Sequence, residues 1–361
     1  VEQNHKSWSA LMRRAIQLAA LADGDTSPNP LVGAIVLNSS GNIVGEGFHA
    51  RAGDSHAEVI ALEQAKNKCI GGTLIVTLEP CCHTGLTPPC TDAILKSGVR
   101  KVVIGLQDPD RRVAGKGIAL LREAEIEVIT SVLEEEVAFQ NRAFIHRITT
   151  GRPWGILKCA ISLDGRTALP NGNSKWITSE KSREKVHKIR SKCDAVIVGG
   201  NTLRKDDPLL TSRRLKDPEP IRVIITSSGK LPTKAKVWNT DKARTLVAFG
   251  PKSDRQFIEK IPKNVETIGL VEDDPIELFH VLASKGCNKV LWECGPTLAT
   301  NAFQKNCIQE LIFFVSPKIL GGTPAMTAFS DFSFSSVDQA IDLKNVDLAV
   351  TGKDFVLNMI V

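Results

Sequence analysis

Apolar residues recur along the first 150 positions at spacings that predict helices and strands in alternation. Within residues 9–22, Leu11, Ala15 and Leu18 fall on one face of a helix. Apolar runs bounded by turn residues predict strands at residues 31–37, 43–48, 73–78, 101–106 and 126–130. Further helices are predicted at residues 57–67, 90–96, 117–124 and 134–147. Such alternation is typical of an α/β block.

The run Gly151-Arg152-Pro153 interrupts this pattern and predicts a domain boundary. After it, strands are predicted at residues 154–160, 194–198, 221–226, 245–249, 289–292 and 311–315. Helices are predicted at residues 179–192, 275–284 and 296–305, which indicates a second, largely parallel sheet. We therefore predict two α/β domains, residues 1–150 and 151–361.

The composition is that of a globular protein without membrane spans. Of the 361 residues, 42% are hydrophobic and 24% are charged. No apolar run reaches the length of about 18 residues that a membrane helix needs. The first residues are polar and predict no secretion signal.

The cysteine content and the net charge indicate in which compartment the protein works and which ligands suit it. Nine cysteines, an odd number with metal-like spacing among them, predict a reducing compartment rather than a disulfide framework. We expect the cytoplasm, or the plastid stroma if the chain is a processed plant or algal form. The net charge of +6 suits a phosphorylated ligand, although a mixed solvated surface explains most of these charges. The sequence contains no dense Lys/Arg block, so nucleic-acid binding is not predicted.

Two short segments carry the residue types of a hydrolytic zinc site: the triplet His56-Ala57-Glu58, and residues 79–90, which read EPCCHTGLTPPC. Such a site has three protein ligands and a fourth position for water, whose pKa the metal lowers to about 7. We predict that His56, Cys81 and Cys90 bind zinc. Glu58 is predicted to move protons without binding the metal. The order H-x-E followed by P-C is typical of zinc-dependent nucleobase deaminases.

The predicted elements place these ligands favourably. His56 and Cys90 both fall at predicted helix starts, where the partial positive charge of a helix favours thiolate over thiol at Cys90. Cys81 follows a predicted buried strand, and sites in α/β sheets gather at the carboxyl ends of strands. Both arguments place the metal in a cleft.

The same cysteines are also compatible with a closed structural zinc site, in which Cys82 or His83 supplies a fourth ligand. Glu58 would then have no role, which favours the open, catalytic arrangement. The remaining thiols suit buried packing positions: Cys69, Cys159, Cys193, Cys287 and Cys307.

The second block contains two strand-to-helix turns that suit a nucleotide. Glu293-Cys294-Gly295-Pro296 lies between a predicted strand and a predicted helix, and Gly295 allows the backbone to approach a phosphate. The turn at residues 198–202 also follows a predicted strand. Neither turn is a G-x-G-x-x-G fingerprint, so a Rossmann fold is not predicted. Arg190 and Arg213 are candidates for a substrate phosphate, because arginine binds phosphate bidentately.

The long interval between Cys81 and Cys90 resembles that of one family, the bifunctional deaminase/reductases of riboflavin biosynthesis. The resemblance spans almost the whole chain and is carried by SPNPLVGAIV (27–36), GEGFHARAGDSHAEV (45–59), LEPCCHTGLTPPC (78–90), LKCAISLDGRTA (157–168), SKWITS (174–179), VGGNTLRKDDPLLTSR (198–213) and LWECGPTLA (291–299). It implies an α/β protein with an N-terminal cytidine-deaminase-like α/β/α domain and a C-terminal dihydrofolate-reductase-like α/β domain.

The resemblance also implies a two-step activity. The family deaminates 2,5-diamino-6-ribosylamino-4(3H)-pyrimidinone 5′-phosphate by zinc-dependent hydrolysis, and then reduces the ribosyl group to ribityl with NADPH. Glu58 would act as the general acid and base of the first step. The cofactors implied are Zn²⁺ and NADPH, the substrate is a phosphorylated pyrimidine, and the assembly is a homo-oligomer.

Roles carried over position by position complete this expectation. The NADPH contacts implied are Ala160, Trp176, Thr202, Asp206, Ser227, Gly295, Pro296, Thr297, Leu298, Ala299, Thr300 and Asn301. The substrate contacts implied are Asn29 and His49 beside the zinc, and Lys158, Ser174, Arg190, Leu210, Arg213 and Glu293 in the second domain.

Two positions depart from the family pattern. Many members carry a basic residue where Leu86 stands, and an aspartate where Thr226 stands. If the basic residue binds the substrate phosphate, its loss weakens or relocates that contact. Neither change removes a metal ligand, Glu58 or Gly295, so both activities are predicted.

Three other functions are compatible with parts of this sequence. The nearest is a monofunctional pyrimidine deaminase with a vestigial reductase domain, since likeness of fold does not guarantee activity. A nucleic-acid-editing deaminase is disfavoured because no channel of basic and aromatic residues is visible. A zinc-stabilised binding module without turnover is the third alternative.

Overall fold

The computed structural model describes residues 2–272, 274–322 and 326–361. The chain divides into two compact units, Val1–Gly151 and Arg152–Val361. Each unit is built on one sheet. No helix in the described part of the chain combines the length and the hydrophobicity that a membrane crossing requires.

The first unit is a mixed sheet with helices. Its strands are β1 (Gly33–Leu37), β2 (Ile43–Phe48), β3 (Thr73–Leu78), β4 (Lys101–Leu106) and β5 (Glu127–Ile129). Its helices are α1 (Glu2–Ala20), α2 (Ala57–Ala65), α3 (Cys90–Ser97), α4 (Lys116–Glu123), α5 (Glu134–Gln140) and α6 (Arg142–Thr150). The strand order is β2-β1-β3-β4-β5. β1 is antiparallel to β2 and β3, whereas β3, β4 and β5 are parallel.

A glycine in β2 sets the position of α2 on this sheet. A Cβ atom on Gly45 would lie only 2.0 Å from the carbonyl oxygen of Ala61. Glycine is therefore required for the helix backbone to approach the strand this closely. The contact fixes α2, whose N-cap is His56 and whose first turn contains Glu58.

The second unit is larger and mostly parallel. Its strands are β6 (Trp154–Ser162), β7 (Ala195–Gly199), β8 (Ile221–Thr226), β9 (Thr245–Phe249), β10 (Glu266–Gly269), β11 (Lys289–Trp292), β12 (Glu310–Ser316), β13 (Lys344–Thr351) and β14 (Asp354–Ile360). Its helices are α7 (Glu180–Ser191), α8 (Gly200–Asp206), α9 (Arg255–Ile258), α10 (Pro275–Ser284) and α11 (Pro296–Gln304). The strand order is β10-β9-β8-β7-β11-β6-β12-β14-β13.

Successive residues of the central strands of this sheet enter opposite cores. Ile156 and Leu291 belong to one buried cluster, whereas their neighbours Leu157 and Trp292 belong to the other. A parallel strand with both faces covered requires such a continuous apolar run. The predicted second parallel sheet is thus confirmed from β10 to β12.

Several predicted elements differ from the structure. The helix predicted at residues 134–147 is broken at Asn141 into α5 and α6. The side chain of Asn141 is buried and pairs with the N–H and the C=O of Leu31, at 2.8 and 3.0 Å. The predicted helix at residues 57–67 ends at Ala65 and continues as a 3₁₀ turn.

The sequence patterns missed α8, α9, β10, β13 and β14. β14 is antiparallel to β12 and to β13, so this edge is the antiparallel part of the largely parallel sheet. β13 is an edge strand whose side chains are mostly exposed. Val346, Leu348 and Val350 alternate along it, so the sequence contained a strand signal that was not used.

Candidate active site

Three of the predicted residues form one group in the first unit. Ligand atoms of His56, Cys81 and Cys90 all lie within 4.8 Å of one another. Nδ1 of His56 is 3.1 Å from Sγ of Cys90 and 3.5 Å from Sγ of Cys81. Two thiols and an imidazole match the donor set of a catalytic zinc site. Among the described residues, no fourth Cys, His, Asp or Glu joins the group, which fits an open coordination position.

The local structure aims these donors at a common point. His56 is the N-cap of α2 and Cys90 is the first residue of α3, as predicted. Nε2 of His56 lies 3.2 Å from Oγ1 of Thr87, on the side of the ring away from the sulfurs. The N–H of Cys90 donates to Sγ of Cys81 at 3.3 Å, which stabilises a thiolate there.

The two thiols have opposite pKa shifts. The hydrogen bond from Cys90 is the main reason that the pKa of Cys81 falls to about 4, with a further contribution from His56. The hydrogen bond to Cys81, together with burial, raises the pKa of Cys90. One thiolate therefore forms readily in this group. A divalent cation between the sulfurs would favour loss of the second proton as well.

Glu58 lies beside this group but does not belong to it. Its side chain is buried and lines the same cavity as His56 and Cys81. Burial, and then the negative charge of Cys81, raise the pKa of Glu58 to about 6. A carboxyl group with such a pKa can both accept and return protons near neutral pH.

The cavity over this group has a volume of about 390 Å³ and contains both predicted pyrimidine contacts. Nδ2 of Asn29 lies 3.0 Å from Nε2 of His49. The ring of His49 meets that of His56 edge to face, with centroids 5.2 Å apart. Burial is the main reason that the pKa of His49 is lowered, so this ring is neutral at pH 7. A neutral imidazole and an amide suit hydrogen bonding to a pyrimidine edge.

Other residues that line this cavity were not predicted from the sequence: Asp108, Asp110, Arg112, Phe144 and Arg147. Burial raises the pKa of Asp108 to about 6. Asp108 and Asp110 follow β4, and ligand sites gather at the carboxyl ends of parallel strands. The position of a predicted strand end could therefore have identified these two aspartates.

Glu79 holds the segment that carries these aspartates. Its side chain is buried, and Oε2 accepts hydrogen bonds from the N–H groups of Asp108 and Gly115, at 3.2 and 2.9 Å. Oε1 accepts a third from the N–H of Ile118 at 3.1 Å. The glutamate of the EPC motif thus fixes one wall of the cavity, and this role was not predicted.

In the second unit, a partly buried ion pair joins two of the predicted substrate contacts. Nε and Nη2 of Arg190 donate to the carboxylate of Glu293 at 2.6 and 2.8 Å. Nη1 of Arg190 donates to the carbonyl oxygen of Thr211 at 3.1 Å. Burial alone would raise the pKa of Glu293, but the charges of Arg190 and Lys158 lower it to about 2. Lys158, another predicted contact, therefore belongs to the same charged cluster.

The expected cofactor contacts lie at the ends of neighbouring strands. Thr202 and Asp206 are on α8, directly after β7, and Ser227 directly follows β8. An ion pair of 3.5 Å between Lys175 and Asp206 connects α8 to the segment that contains Ser174 and Trp176. The indole of Trp176 is 63% exposed and has the guanidinium of Arg183 4.5 Å from its ring centre.

The expected dinucleotide turn is the first part of a helix. Gly295 is the N-cap of α11, so the stretch from Pro296 to Asn301 is helical. Ala299 and Thr300 are buried, and Oγ1 of Thr300 accepts a hydrogen bond from the N–H of Ser330 at 2.8 Å. These two side chains face the core, whereas Gly295 and Thr297 are exposed.

Two further predicted contacts have restricted side chains. Leu210 is only 1% exposed, so a ligand would reach its main chain rather than its side chain. Ala160 is half-buried on β6, beside Phe314 of β12. Arg213, in contrast, is exposed.

Two family sequence models match the chain. Cytidine and deoxycytidylate deaminase zinc-binding region matches residues 5–106, which contain Glu58 and the group His56, Cys81 and Cys90. RibD C-terminal domain matches residues 153–357. These matches confirm the predicted α/β class with a cytidine-deaminase-like first part and a reductase second part, and they imply Zn²⁺ and NADPH as cofactors.

Relatives match over almost the whole chain. Riboflavin biosynthesis protein RibD of Synechocystis sp. is 44% identical over 345 residues, which cover 95% of this chain and 94% of that protein. Riboflavin biosynthesis protein RibD of Aquifex aeolicus is 40% identical and covers 96% of each chain.

Solved structures agree with these matches. RibD of Acinetobacter baumannii is 36% identical, covers 99% of each chain and superposes with a TM-score of 0.89. The diaminohydroxyphosphoribosylaminopyrimidine deaminase/5-amino-6-(5-phosphoribosylamino)uracil reductase of Thermotoga maritima is 38% identical, covers 99% of each chain and has a TM-score of 0.88. The chain therefore belongs to the RibD family of riboflavin biosynthesis proteins, with a deaminase and a reductase domain in one polypeptide.

Proposed function

We propose that this chain catalyses two successive reactions on one phosphorylated pyrimidine. The first unit removes the amine of 2,5-diamino-6-ribosylamino-4(3H)-pyrimidinone 5′-phosphate, and the second reduces the ribosyl group to ribityl. The name of the Thermotoga maritima relative supports both substrate classes. The observation that carries the proposal is the three-ligand group of His56, Cys81 and Cys90 beside the buried carboxyl group of Glu58.

In the deamination step, Glu58 transfers the protons. Zinc, when bound by His56, Cys81 and Cys90, supplies Lewis-acid activation of a water molecule. At pH 7 Glu58 is mostly ionised, because its pKa is about 6, and its carboxylate takes a proton from that water. Glu58 gives this proton to the ring nitrogen, accepts the second proton from the oxygen that is now bonded to the ring carbon, and passes it to the departing amine. The ring carbon gains an oxygen, its bond to nitrogen breaks, and ammonia leaves.

Asn29 and His49 hold the pyrimidine in this step. Their contact of 3.0 Å places an amide and a neutral imidazole side by side on one wall of the cavity. Both can form hydrogen bonds to polar ring atoms, which orients the amine-bearing carbon toward the group of ligands.

The phosphate of the substrate needs a cation, and Leu86 supplies none. Among the described residues that line the cavity, the permanently cationic side chains are Arg112 and Arg147. Arg112 is engaged by the carboxylate of Asp110, which accepts from Nε at 2.9 Å. Nη2 of Arg147 donates to the carbonyl oxygen of Pro28 at 2.8 Å, next to Asn29. We assign the phosphate contact of the deaminase site to Arg147, because it lines the cavity and contacts the main chain next to Asn29, a proposed pyrimidine contact.

In the reduction step, the second unit binds and orients two ligands. NADPH, when bound, supplies the hydride that goes to C1′ of the open-chain ribosyl group. We assign its binding to Ala160, Trp176, Thr202, Asp206, Ser227 and the first turn of α11. We assign substrate binding to Lys158, Ser174, Arg190, Leu210, Arg213 and Glu293. The carboxylate of Glu293 accepts hydrogen bonds from Arg190 and interacts electrostatically with Lys158, so it connects two of these proposed contacts.

The alternative of a vestigial second domain is disfavoured. The RibD C-terminal domain matches residues 153–357, and the relatives named RibD cover both units. Assembly into a homo-oligomer and location in the cytoplasm stay proposals, which sedimentation equilibrium and cell fractionation would test.

One experiment tests both activities. Purified protein is incubated with the diamino substrate, with and without NADPH, and the products are identified by mass. We expect the deaminated product without NADPH and the ribityl product with it. Absence of reduction with the deaminated compound as substrate would support the monofunctional alternative instead.

The Glu58→Gln variant separates the two steps. It should retain zinc and lose ammonia release by at least about 100-fold, which is the usual contribution of general acid–base catalysis. Reduction of the deaminated compound by the same variant should stay unchanged, which makes it an internal control for folding. Undiminished ammonia release would rule out the role of Glu58.

A further inference from the structure

The loop at residues 207–214 holds two proposed substrate contacts, Leu210 and Arg213, in an unusual backbone conformation. The φ angles are +40° at Asp207, +58° at Leu210, +62° at Arg213 and +68° at Arg214. Residues with a Cβ atom rarely adopt this left-handed region, because it brings Cβ close to a carbonyl oxygen. Such a conformation persists only where the surrounding contacts over-determine it.

One carboxylate supplies the contacts that fix this loop around Arg213. Oε2 of Glu219 accepts a hydrogen bond from the N–H of Ser212 at 2.5 Å, and Oε1 accepts one from the N–H of Arg214 at 2.6 Å. The two N–H groups belong to the residues on either side of Arg213. A charged acceptor holds main-chain N–H groups more strongly than a neutral one, so both flanks of the arginine are fixed.

A second set of contacts joins the same loop to α7. The carbonyl oxygen of Thr211 accepts from Nη1 of Arg190 at 3.1 Å and lies 3.3 Å from Nδ1 of His187. The loop is therefore held on one side by Glu219 and on the other by Arg190, itself a proposed substrate contact. Glu219 and His187 have no proposed contact to substrate or cofactor, and of these two Glu219 forms two hydrogen bonds to the loop, one on each side of Arg213.

We propose that Glu219 is a positioning residue of the reductase: its carboxylate holds the loop at residues 207–214 so that Arg213 presents its guanidinium to the substrate phosphate. This inference rests on the proposed assignment of Arg213 to the substrate. Glu219 acts through the loop backbone and not on the reacting atoms.

A positioning role and a purely electrostatic role of Glu219 predict opposite changes in phosphate binding when its carboxylate is removed. The carboxylate is close enough to interact electrostatically with Arg190 and Arg222. If it acted through its charge alone, its removal would raise the positive potential at the site and tighten phosphate binding. If it positions Arg213, its removal weakens phosphate binding instead.

The test compares Glu219→Gln and Glu219→Ala in the full chain by steady-state kinetics with the deaminated substrate. We expect Glu219→Ala to raise the KM for that substrate by about tenfold, the factor that corresponds to loss of one such hydrogen-bonded contact. Glu219→Gln, which keeps one acceptor oxygen, should raise it less. The KM for NADPH and the kcat should stay within about twofold of the wild type in both variants.

Glu277→Gln is the matched control. Oε2 of Glu277 accepts from the N–H groups of Val271 and Glu272, at 2.8 and 3.5 Å, so it is a similar clamp elsewhere in the second unit. This variant should leave the KM for the deaminated substrate unchanged. Ammonia release from the diamino substrate reports on folding of the first unit in every variant.

The outcomes separate this inference from the proposed function. If Arg213→Gln raises the KM and the Glu219 variants do not, the positioning role is wrong while the substrate assignment stands. If Arg213→Gln has no effect, the substrate assignment fails and Glu219 has nothing to position. A lower KM in Glu219→Gln, or an equal loss of all kinetic constants with a lower Tm, also overturns the positioning role. If Glu219→Ala does not fold, Glu219→Gln alone decides.

Discussion

Arg190 and Glu293 form a bidentate ion pair, in which Nε and Nη2 of the arginine donate to the two carboxylate oxygens at 2.6 and 2.8 Å. Their side chains are only 12% and 13% exposed. Water therefore screens this pair little, and loss of one partner leaves a charge inside the protein. The pair joins α7 to the segment that follows β11, so it stabilises the second unit as well as its proposed site.

Replacing Glu293 by Gln should lower the free energy of unfolding by about 3 kcal/mol at pH 7. On folding, the pKa of Glu293 falls from 4.5 to about 2. Its contribution is therefore complete above pH 4.5 and is lost as the pH falls toward 2. Urea unfolding of the wild type and the variant should differ at neutral pH and converge in acid. An equal difference at all pH values would contradict this linkage.

Glu127→Gln is the control for a surface pair. Glu127 lies 3.0 Å from Lys101, but the two side chains are 59% and 26% exposed. Solvent screening limits such a pair to about 1 kcal/mol or less. We expect no resolvable change in the urea midpoint of this variant at neutral pH.

The zinc ligands can be tested against their neighbours in sequence. Cys90→Ser should lower the zinc content from about one ion per chain to a small fraction, because the thiolate is a far stronger ligand than a hydroxyl. Elemental analysis of protein purified without chelator measures this directly. Ammonia release should fall with the zinc content.

Cys82→Ser is the matched control, since Cys82 is adjacent to Cys81 but outside the group of ligands. Its sulfur lies 4.0 Å from the carbonyl oxygen of Arg112. We expect full zinc content and normal ammonia release. Loss of zinc in this variant would indicate a closed, four-ligand site and would exclude the proposed hydrolysis.

The metal group was predictable because its signals are local in sequence. His56 and Glu58 are two positions apart. Cys90 is the first residue of a helix, and the prolines directly before it are a sequence signal for a helix start. Strand and helix alternation likewise follows from the burial of short apolar runs, so most strands of both sheets were predicted. The starts of α2 and α3 are part of the fold and also position His56 and Cys90, so the same local signals predict both the helices and the metal ligands.

Features that depend on contacts between distant residues were not predictable. Asn141 breaks a helix because it pairs with Leu31, 110 positions away. Arg147 joins the cavity through a contact 119 positions away, with Pro28. Neither residue has a local pattern that distinguishes it from an ordinary polar residue on a helix, so only the folded structure identifies these roles.

Gly295 offers a test of the cofactor site that spares the fold. Its φ is −76°, and a Cβ atom there would meet nothing within 4 Å. Gly295→Val should therefore leave the Tm and ammonia release unchanged. It should raise the KM for NADPH by about tenfold or more, because the side chain fills the space through which a dinucleotide approaches the start of α11. Gly295→Ala should raise the KM for NADPH as well, but by less. An unchanged KM for NADPH in Gly295→Val would show that the cofactor does not approach Gly295.

Arg147→Gln tests where the deaminase site binds the substrate phosphate. Arg147 and Leu86 both line the cavity, but Leu86, which stands where many family members carry a basic residue, is uncharged and 86% exposed. Removing the guanidinium should raise the KM for deamination by about tenfold to 100-fold, because charge-assisted contacts to phosphate are strong. The kcat should change little, since the phosphate is remote from the reacting carbon.

The dephosphorylated substrate makes this last prediction specific. The wild type should favour the phosphorylated compound, and Arg147→Gln should lose most of that preference. Removing the phosphate from the substrate and removing the guanidinium from the protein break the same contact, so the second change adds little to the first. Arg142→Gln is the control on the same helix: its guanidinium packs 4.4 Å from the ring centre of Phe139 and donates to the carbonyl oxygen of that residue at 2.9 Å. It should keep the wild-type preference. If Arg147→Gln also keeps this preference, the phosphate binds elsewhere in the site. Arg112 is then the next residue to replace, together with Asp110, so that the carboxylate of Asp110 is not left without its partner.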